Sequence, residues 1–114
     1  WGYTPLESIA FKVPTITTDL AGFGLWVNSL KGSYSMLEDG VKVIHRTDYN
    51  YSEVADMIKD TITEFSTLTD TEINKIRKNA ANIAEKALWK HFIQYYYEAY
   101  DIALRNAAKR LSLK

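Results

Sequence analysis

Apolar positions along this chain alternate between helical and strand spacing, and the changes mark its elements. Leu6, Ile9, Ala10 and Phe11 give a short apolar face. Thr4 is the expected N-cap of that helix, with Pro5 at the first helical position, where its missing N–H costs nothing. Glu7, three residues after Thr4, completes a capping box. Lys12-Val13-Pro14 ends the helix, because the residue before a proline avoids the helical region. Thr15-Ile16-Thr17-Thr18 is β-branched and reads as a strand. Asp19 opens a loop containing Gly22 and Gly24. Phe23, Trp26, Val27 and Leu30 then recur at helical spacing, with Trp26 as a core residue and Gly32 as terminator.

The segment from Ser33 to Gly40 is polar and turn-rich, with a turn signal at Asp39-Gly40. Val41-Lys42-Val43-Ile44-His45 reads as a second strand, whose mixed pattern leaves open whether one face or both are buried. Asn50 and Glu53 make a second capping box for a helix from Asn50 to Phe65, with Val54, Met57, Ile58, Ile62 and Phe65 as its apolar face. After a connector, Thr69 and Glu72 make a third box. Ile73, Ile76, Ala80, Ile83 and Ala87 face the core from the next helix, and Lys75, Arg77, Lys78, Glu85 and Lys86 form a solvated face. The last helix runs from Leu88 to about Leu111 without proline or glycine. Trp89, Phe92, Tyr96 and Tyr100 make an aromatic stripe that Ile93, Tyr97 and Leu104 broaden, while Tyr95 points elsewhere. A tyrosine keeps a hydroxyl that wants a polar partner, so this stripe suits an interface, including one between two copies of the chain. The fold class is α/β, with about two parallel strands and four or five helices.

The chain has 114 residues and no net charge, so no basic field argues for nucleic acid or an anionic membrane. The absence of cysteine excludes disulfides and thiolate metal sites and suits a reducing, cytoplasmic compartment. No apolar run is long enough to span a bilayer. The two histidines, His45 and His91, lie far apart and make no metal motif. His45-Arg46 sits at the end of the second strand, where open α/β sheets border their ligand crevice. His45 is a functional candidate there; as a loop histidine it needs only water or backbone partners. In Trp1 to Gly24 a loop precedes a helix start, whose free amides and dipole suit an anion. An ordinary helix packed on a sheet is the plainer reading of the same residues.

Trp1 to Gly24, WGYTPLESIAFKVPTITTDLAGFG, resembles the nucleotide-sugar loop of glycogen synthases of the animal and fungal type, which are retaining GT-B glycosyltransferases. Gly40-Val41-Lys42-Val43-Ile44-His45-Arg46 is similar to the strand leading into their terminal helices. Leu88-Trp89 and Tyr97 to Leu104 are similar to the start and middle of their final helix. The resemblance thus covers most of the chain in order. It implies the C-terminal part of a Rossmann-like GT-B domain, with residues 1–46 as half of a donor site and 50–114 as terminal helices.

By that resemblance the amides of Gly2 and Tyr3 and the Thr4 hydroxyl hold the donor's distal phosphate. Tyr3 lies near the base, Glu7 hydrogen-bonds the ribose, and the backbone of Trp1 and Gly2 approaches the sugar. The family carries a Glu-Pro pair directly before this loop, and arginine and lysine further upstream. The chain begins inside that motif without an initiator Met, so it reads as a C-terminal piece of a longer protein. No catalytic residue is expected within it, and the piece alone is expected to be inactive. A helix dipole with upstream cations stabilises a leaving diphosphate without a divalent ion, so no metal or cofactor is expected. The implied substrates are UDP-glucose or ADP-glucose as donor and an α-1,4-glucan as acceptor. Regulated members carry a dense arginine cluster on the penultimate helix. Here only Lys75, Arg77, Lys78 and Lys86 stand there, which argues against activation by a sugar phosphate. Two other functions fit the residues: a GT-B transferase building another bacterial polysaccharide, and a non-catalytic helical interaction module.

Overall fold

A computed structural model describes residues 1–113. Its elements are α1 (Tyr3–Ala10), β1 (Thr15–Thr18), α2 (Gly22–Lys31), a 3-10 turn (Leu37–Asp39), β2 (Val41–Ile44), α3 (Tyr51–Ser66), α4 (Asp70–Lys86) and α5 (Trp89–Ser112). The two strands pair in parallel, with Thr15 opposite Val41 and Thr18 opposite Ile44. This is a mixed α/β arrangement compatible with part of a Rossmann-like domain.

Strand β2 answers the question its mixed pattern left open, because Val41, Val43 and Ile44 are all buried. Successive side chains leave a strand on opposite faces. Val41 and Val43 join Ile9 of α1, Phe23 and Val27 of α2, and Ala80 of α4 in the main core, with Leu6, Trp26, Ile83 and Ala84 packed around it. Trp26 is thus a core residue as the spacing predicts. The opposite face of β2 carries Ile44 and is met by α3. The predicted face of α3 is rotated in the structure. Val54 and Thr61 are buried, whereas Ile58 and Ile62 are exposed. Thr61 tolerates burial because its hydroxyl donates to the Met57 carbonyl at 2.7 Å, which leaves no unpaired polar atom.

The helix ends depart from the sequence reading in instructive ways. Thr69 and Glu72 form the predicted box. The Glu72 amide donates to the Thr69 hydroxyl at 3.2 Å, and the Glu72 carboxylate accepts from the Thr69 amide at 2.8 Å. That amide, and then the Thr69 hydroxyl, hold the Glu72 carboxyl below the usual range. The Asn50 box does not form. Asn50 Oδ1 instead accepts from the Thr47 amide at 2.7 Å, and its Nδ2 donates to the His45 carbonyl at 2.9 Å. Nor does the Thr4 box form. Gly2 is the N-cap of α1, with no side-chain capping bond, and Thr4 lies inside the helix. Pro5 is therefore the third helical residue, still among the first four whose N–H lacks an intrahelical partner.

Helix α1 is closed by its own C-terminal geometry as well as by Pro14. The Lys12 amide donates to Ile9 and the Val13 amide to Ser8, at 3.0 and 3.1 Å, the paired bonds of a Schellman cap. Lys12 takes the left-handed conformation, φ 61°, that such a cap reserves for glycine. The Nε–H of Arg77 on α4 donates to its carbonyl at 3.1 Å. Gly22 and Gly24, expected in a loop, lie in the first turn of α2. A Cβ on Gly24 would sit 2.1 Å from the Thr18 carbonyl oxygen, so this glycine lets α2 approach the end of β1.

Helix α5 behaves differently. Phe92 and Ile93 are half-buried, and every residue from Gln94 to Leu113 is exposed. The radius of gyration is 18.6 Å and the long axis 67 Å, against about 13 Å expected for a compact chain of this length. The excess is the projecting arm of α5.

Candidate functional site

The residues singled out from the sequence gather at the carboxyl edge of the two strands. The chain leaves β1 at Thr18, turns through residues 19–21 and enters α2, whose Phe23 amide donates to the Trp1 carbonyl at 3.1 Å. This bond fixes the start of α1 beside the end of β1. Gly2 makes the turn with φ 112°, a conformation open to glycine. The Trp1 ring packs edge-on against Phe23 and Phe92 and tilted against Trp26, with centroids 5.6–6.2 Å apart. The base of α5 is thereby seated on the start of α1.

Because no side chain caps α1, the amides of Tyr3 and Thr4 are left without a side-chain partner. Helix N-termini in that state attract anions through their amides and dipole. Tyr3, Thr4 and Glu7 are all exposed, and the Glu7 carboxylate is free of the capping role the sequence assigned to it. A groove of about 430 Å³ opens beside them, lined by Trp1, Tyr3 and Leu6 on one side and by Ala87, Trp89, Phe92, Tyr95 and Tyr96 on the other. Thus Trp1, Gly2, Tyr3, Thr4 and Glu7 share one locality, and Trp1 and Tyr3 form a groove wall. Tyr95, expected to point away from the aromatic stripe, lines this groove with Trp89 and Phe92.

A second cluster lies at the same edge. His45 Nδ1 is 2.7 Å from Asp19 Oδ2, and the Tyr34 hydroxyl donates to the same oxygen at 2.9 Å. The Arg46 amide donates to Asp19 Oδ1 at 2.9 Å. The short carboxylate contact assigns the proton to Nδ1 and leaves Nε2 as the free nitrogen. Burial raises the Asp19 pKa, but the bonds from His45, the Arg46 amide and Tyr34 outweigh it and hold the carboxyl below its ordinary value. The carboxylate in turn pushes the Tyr34 phenol up. His45 therefore has a stronger partner, the Asp19 carboxylate, than water or backbone. The sequence reading missed Asp19 and Tyr34. The strand register brings Asp19 and His45 together, since Thr18 and Ile44 pair and the next residue on each strand is Asp19 or His45.

His91 is remote from this cluster, with Nε2 4.0 Å from Glu85. Among the described residues no group of three His, Asp or Glu could hold a metal ion. None of the described helices is long and apolar enough to cross a membrane. The cations of α4 are dispersed. Arg77 and Lys78 border Lys12, while Lys86 borders a different groove with Lys31 and Asp39.

The model of the glycogen synthase family matches residues 1–111. The chain is 28% identical over 107 residues to glycogen [starch] synthase isoform 1 of Saccharomyces cerevisiae, a match covering 94% of this chain and 15% of that protein. It is likewise 28% identical to glycogen [starch] synthase of Neurospora crassa and 22% identical to the liver enzyme of Mus musculus, each with the same coverage. The chain therefore spans about 15% of the length of the relatives it matches, and across nearly all of its own length it belongs to the glycogen synthase family.

Proposed function

We propose that this chain supplies part of the donor site of a glycogen synthase, which transfers glucose from UDP-glucose or ADP-glucose to a growing α-1,4-glucan with retention of configuration. The observation that carries the reading is the family match over residues 1–111, coupled to an uncapped helix start at the matching loop. In this reading the amides of Gly2 and Tyr3 and the Thr4 hydroxyl hold the distal phosphate. Tyr3, exposed on the groove wall, stacks on the base. Glu7 accepts from the ribose hydroxyls, and the Trp1-Gly2 backbone lies against the sugar. The dipole of α1 stabilises the leaving diphosphate, and no divalent ion is required for that task. The catalytic groups lie outside these residues, so the 114-residue chain binds donor weakly and does not turn it over. The dispersed cations of α4 favour no strong response to a sugar phosphate, because a bidentate anion site calls for clustered arginines.

Titration with UDP-glucose and ADP-glucose, followed by amide chemical shifts, tests the reading. The expected result is saturable shifts at Gly2, Tyr3, Thr4 and Glu7, with a dissociation constant on the order of millimolar, about −4 kcal/mol. Glu7→Ala should weaken binding by losing a charge-assisted bond worth roughly 1.5–3 kcal/mol. Because Glu7 caps nothing in the structure, the melting temperature should not move. Shifts confined to other residues, or affinity unchanged in Glu7→Ala, would refute the assignment. Selective binding of a different nucleotide sugar would favour a transferase of another polysaccharide.

A further inference from the structure

The Asp19 carboxylate joins three segments of the chain. It stands on the turn from β1 into α2, with its side chain only 10% exposed. Oδ1 accepts from the Arg46 amide at 2.9 Å, and Oδ2 accepts from His45 Nδ1 at 2.7 Å and from the Tyr34 hydroxyl at 2.9 Å. The Asp19 amide donates to the Ile44 carbonyl at 3.1 Å. Tyr34 is presented by a fixed loop. Its neighbour Ser35 is buried, donates its amide to Asn28 Oδ1 at 2.9 Å and donates its hydroxyl to the Val41 carbonyl at 2.6 Å. A carboxylate taken out of water is costly unless it is well bonded. This one answers donors from the exit of β2 and from the loop that precedes it.

What the carboxylate holds still leads to the start of α1. Gly22 and Phe23 follow Asp19 within four residues. The Phe23 amide donates to the Trp1 carbonyl at 3.1 Å, and among the described residues this is the one main-chain bond outside the helices made by Trp1 or Gly2. A Cβ on Gly22 would lie 3.5 Å from Trp1 Cα, so the first turn of α2 is the surface on which Trp1 rests. The chain then turns at Gly2 into α1. The start of α1 is thus located through a relay of bonds, from the exit of β2 to Asp19, along the turn to the Phe23 amide, and from there to the Trp1 carbonyl.

We propose that Asp19 is a positioning residue of the donor site. It fixes the turn from β1 to α2 so that the Phe23 amide holds Trp1 and Gly2 and aims the first amides of α1 at the donor phosphate. This inference rests on the donor-site reading above. In this role Asp19 touches no atom of the donor and acts through Phe23 and Trp1. A clasp that served stability alone would let donor affinity follow the melting temperature. Positioning separates the two.

The test is titration with UDP-glucose, followed by amide shifts at Gly2, Tyr3, Thr4 and Glu7, in the parent and four variants. Asp19→Ala removes every bond to the carboxylate. Its donor dissociation constant should rise about tenfold, equivalent to about 1.4 kcal/mol, and its Phe23 amide should lose protection from hydrogen exchange. Asp19→Asn keeps an acceptor oxygen for the Arg46 amide, and His45 can switch tautomer so that Nδ1 accepts from the new amide group. This variant should lose stability yet keep the affinity and the Phe23 protection of the parent. Tyr34→Phe removes one bond at an exposed position, so it keeps the test open if Asp19→Ala does not fold; it should show a smaller loss of affinity. Phe65→Leu acts at the other edge of the strands, beside Pro14 and Ile16, and should lower the melting temperature without changing affinity. Unchanged affinity in Asp19→Ala, or in Tyr34→Phe where Asp19→Ala is unfolded, overturns this inference and leaves the donor-site reading standing. Affinity that falls with the melting temperature in Asp19→Asn and Phe65→Leu also overturns it. The absence of any donor-induced shift in the parent refutes the donor-site reading itself, and this inference with it.

Discussion

Gly24→Ala separates helix propensity from tertiary packing because the two predict opposite signs. Gly24 lies within α2 and has no left-handed backbone. By propensity alone, alanine in place of a helical glycine stabilises, by at most about 0.8–1.0 kcal/mol, the value for a helix interior. The structure predicts loss instead. The added Cβ would lie 2.1 Å from the Thr18 carbonyl oxygen and 2.9 Å from its carbonyl carbon, both backbone atoms. Restoring ordinary contact requires α2 to retreat from β1 by roughly 1 Å, and Phe23 and Val27, both buried, must retreat with it. Overpacking of this kind costs about 1–3 kcal/mol, more than the propensity gain. The net expectation is a loss of about 1–2 kcal/mol, read as a lower urea midpoint at unchanged slope. Gly22→Ala is the internal control, since its Cβ would meet only Trp1 atoms at 3.5 Å or beyond and should be tolerated. A Gly24→Ala variant as stable as the parent, or more so, refutes the close approach of α2 to β1. It would also undo the position of Trp1, which hangs on the Phe23 amide.

Three further outcomes are expected. Lys12→Gly should raise stability by about 1 kcal/mol in chemical denaturation, because it relieves the left-handed strain of a non-glycine residue; a loss would mean that the Schellman cap is not the native ending of α1. Asp19→Asn should cost roughly 1.5–3 kcal/mol near neutral pH through its charge-assisted bonds. Since the folded pKa of Asp19 is lowered, its contribution is complete above the unfolded pKa of about 3.9 and fades as pH falls through the folded value; parent and variant should converge in strong acid, and a constant gap would refute the ionised bonds. Finally, the 114-residue chain with UDP-glucose or ADP-glucose and glycogen should give no turnover, and a rate on the order of ten per second, typical of enzymes, would overturn the placement of the catalytic groups elsewhere.

Most elements were legible because their periodicity and punctuation agree. Gly32 ends α2 with φ 77°, and Gly40 turns into β2 with φ 98°, both as the sequence predicts. The failures have physical reasons. Thr4 and Asn50 are good capping residues, but a cap is chosen by tertiary geometry as much as by side-chain chemistry. Asn50 is taken by the loop between His45 and Thr47, where it satisfies three backbone or side-chain groups. Thr4 is displaced because the Trp1 carbonyl must reach Phe23, which places the cap at Gly2. On α3 the apolar residues support two overlapping stripes. The choice of Thr61 over Ile58 and Ile62 depends on a hydroxyl bond that periodicity does not register. The Asp19–His45 pair required the strand register, which no local pattern contains.

The distribution of caps follows the topology of the sheet. Helices α1, α2 and α3 each begin at the carboxyl edge of the strands, and none has a side-chain capping bond. Helix α4 begins at the opposite edge, near the connections into β1 and β2, and among the described α-helices it is the one with a complete box, at Thr69 and Glu72. It runs back so that Ala87 reaches the groove of Trp1, and α5 starts there, again without a side-chain cap. A cap is worth about 1 kcal/mol, so leaving four helix starts uncapped sacrifices local stability at one edge. At that edge the Phe23 amide of α2 is taken by the Trp1 carbonyl, and the four helix starts each bring a positive dipole end equivalent to about half a charge. Beside the Arg46 side chain, which lies over the Tyr51 ring, these helix ends add positive potential from the backbone. The backbone part of that potential persists at any pH. The donor-site reading proposed above would draw on that backbone contribution.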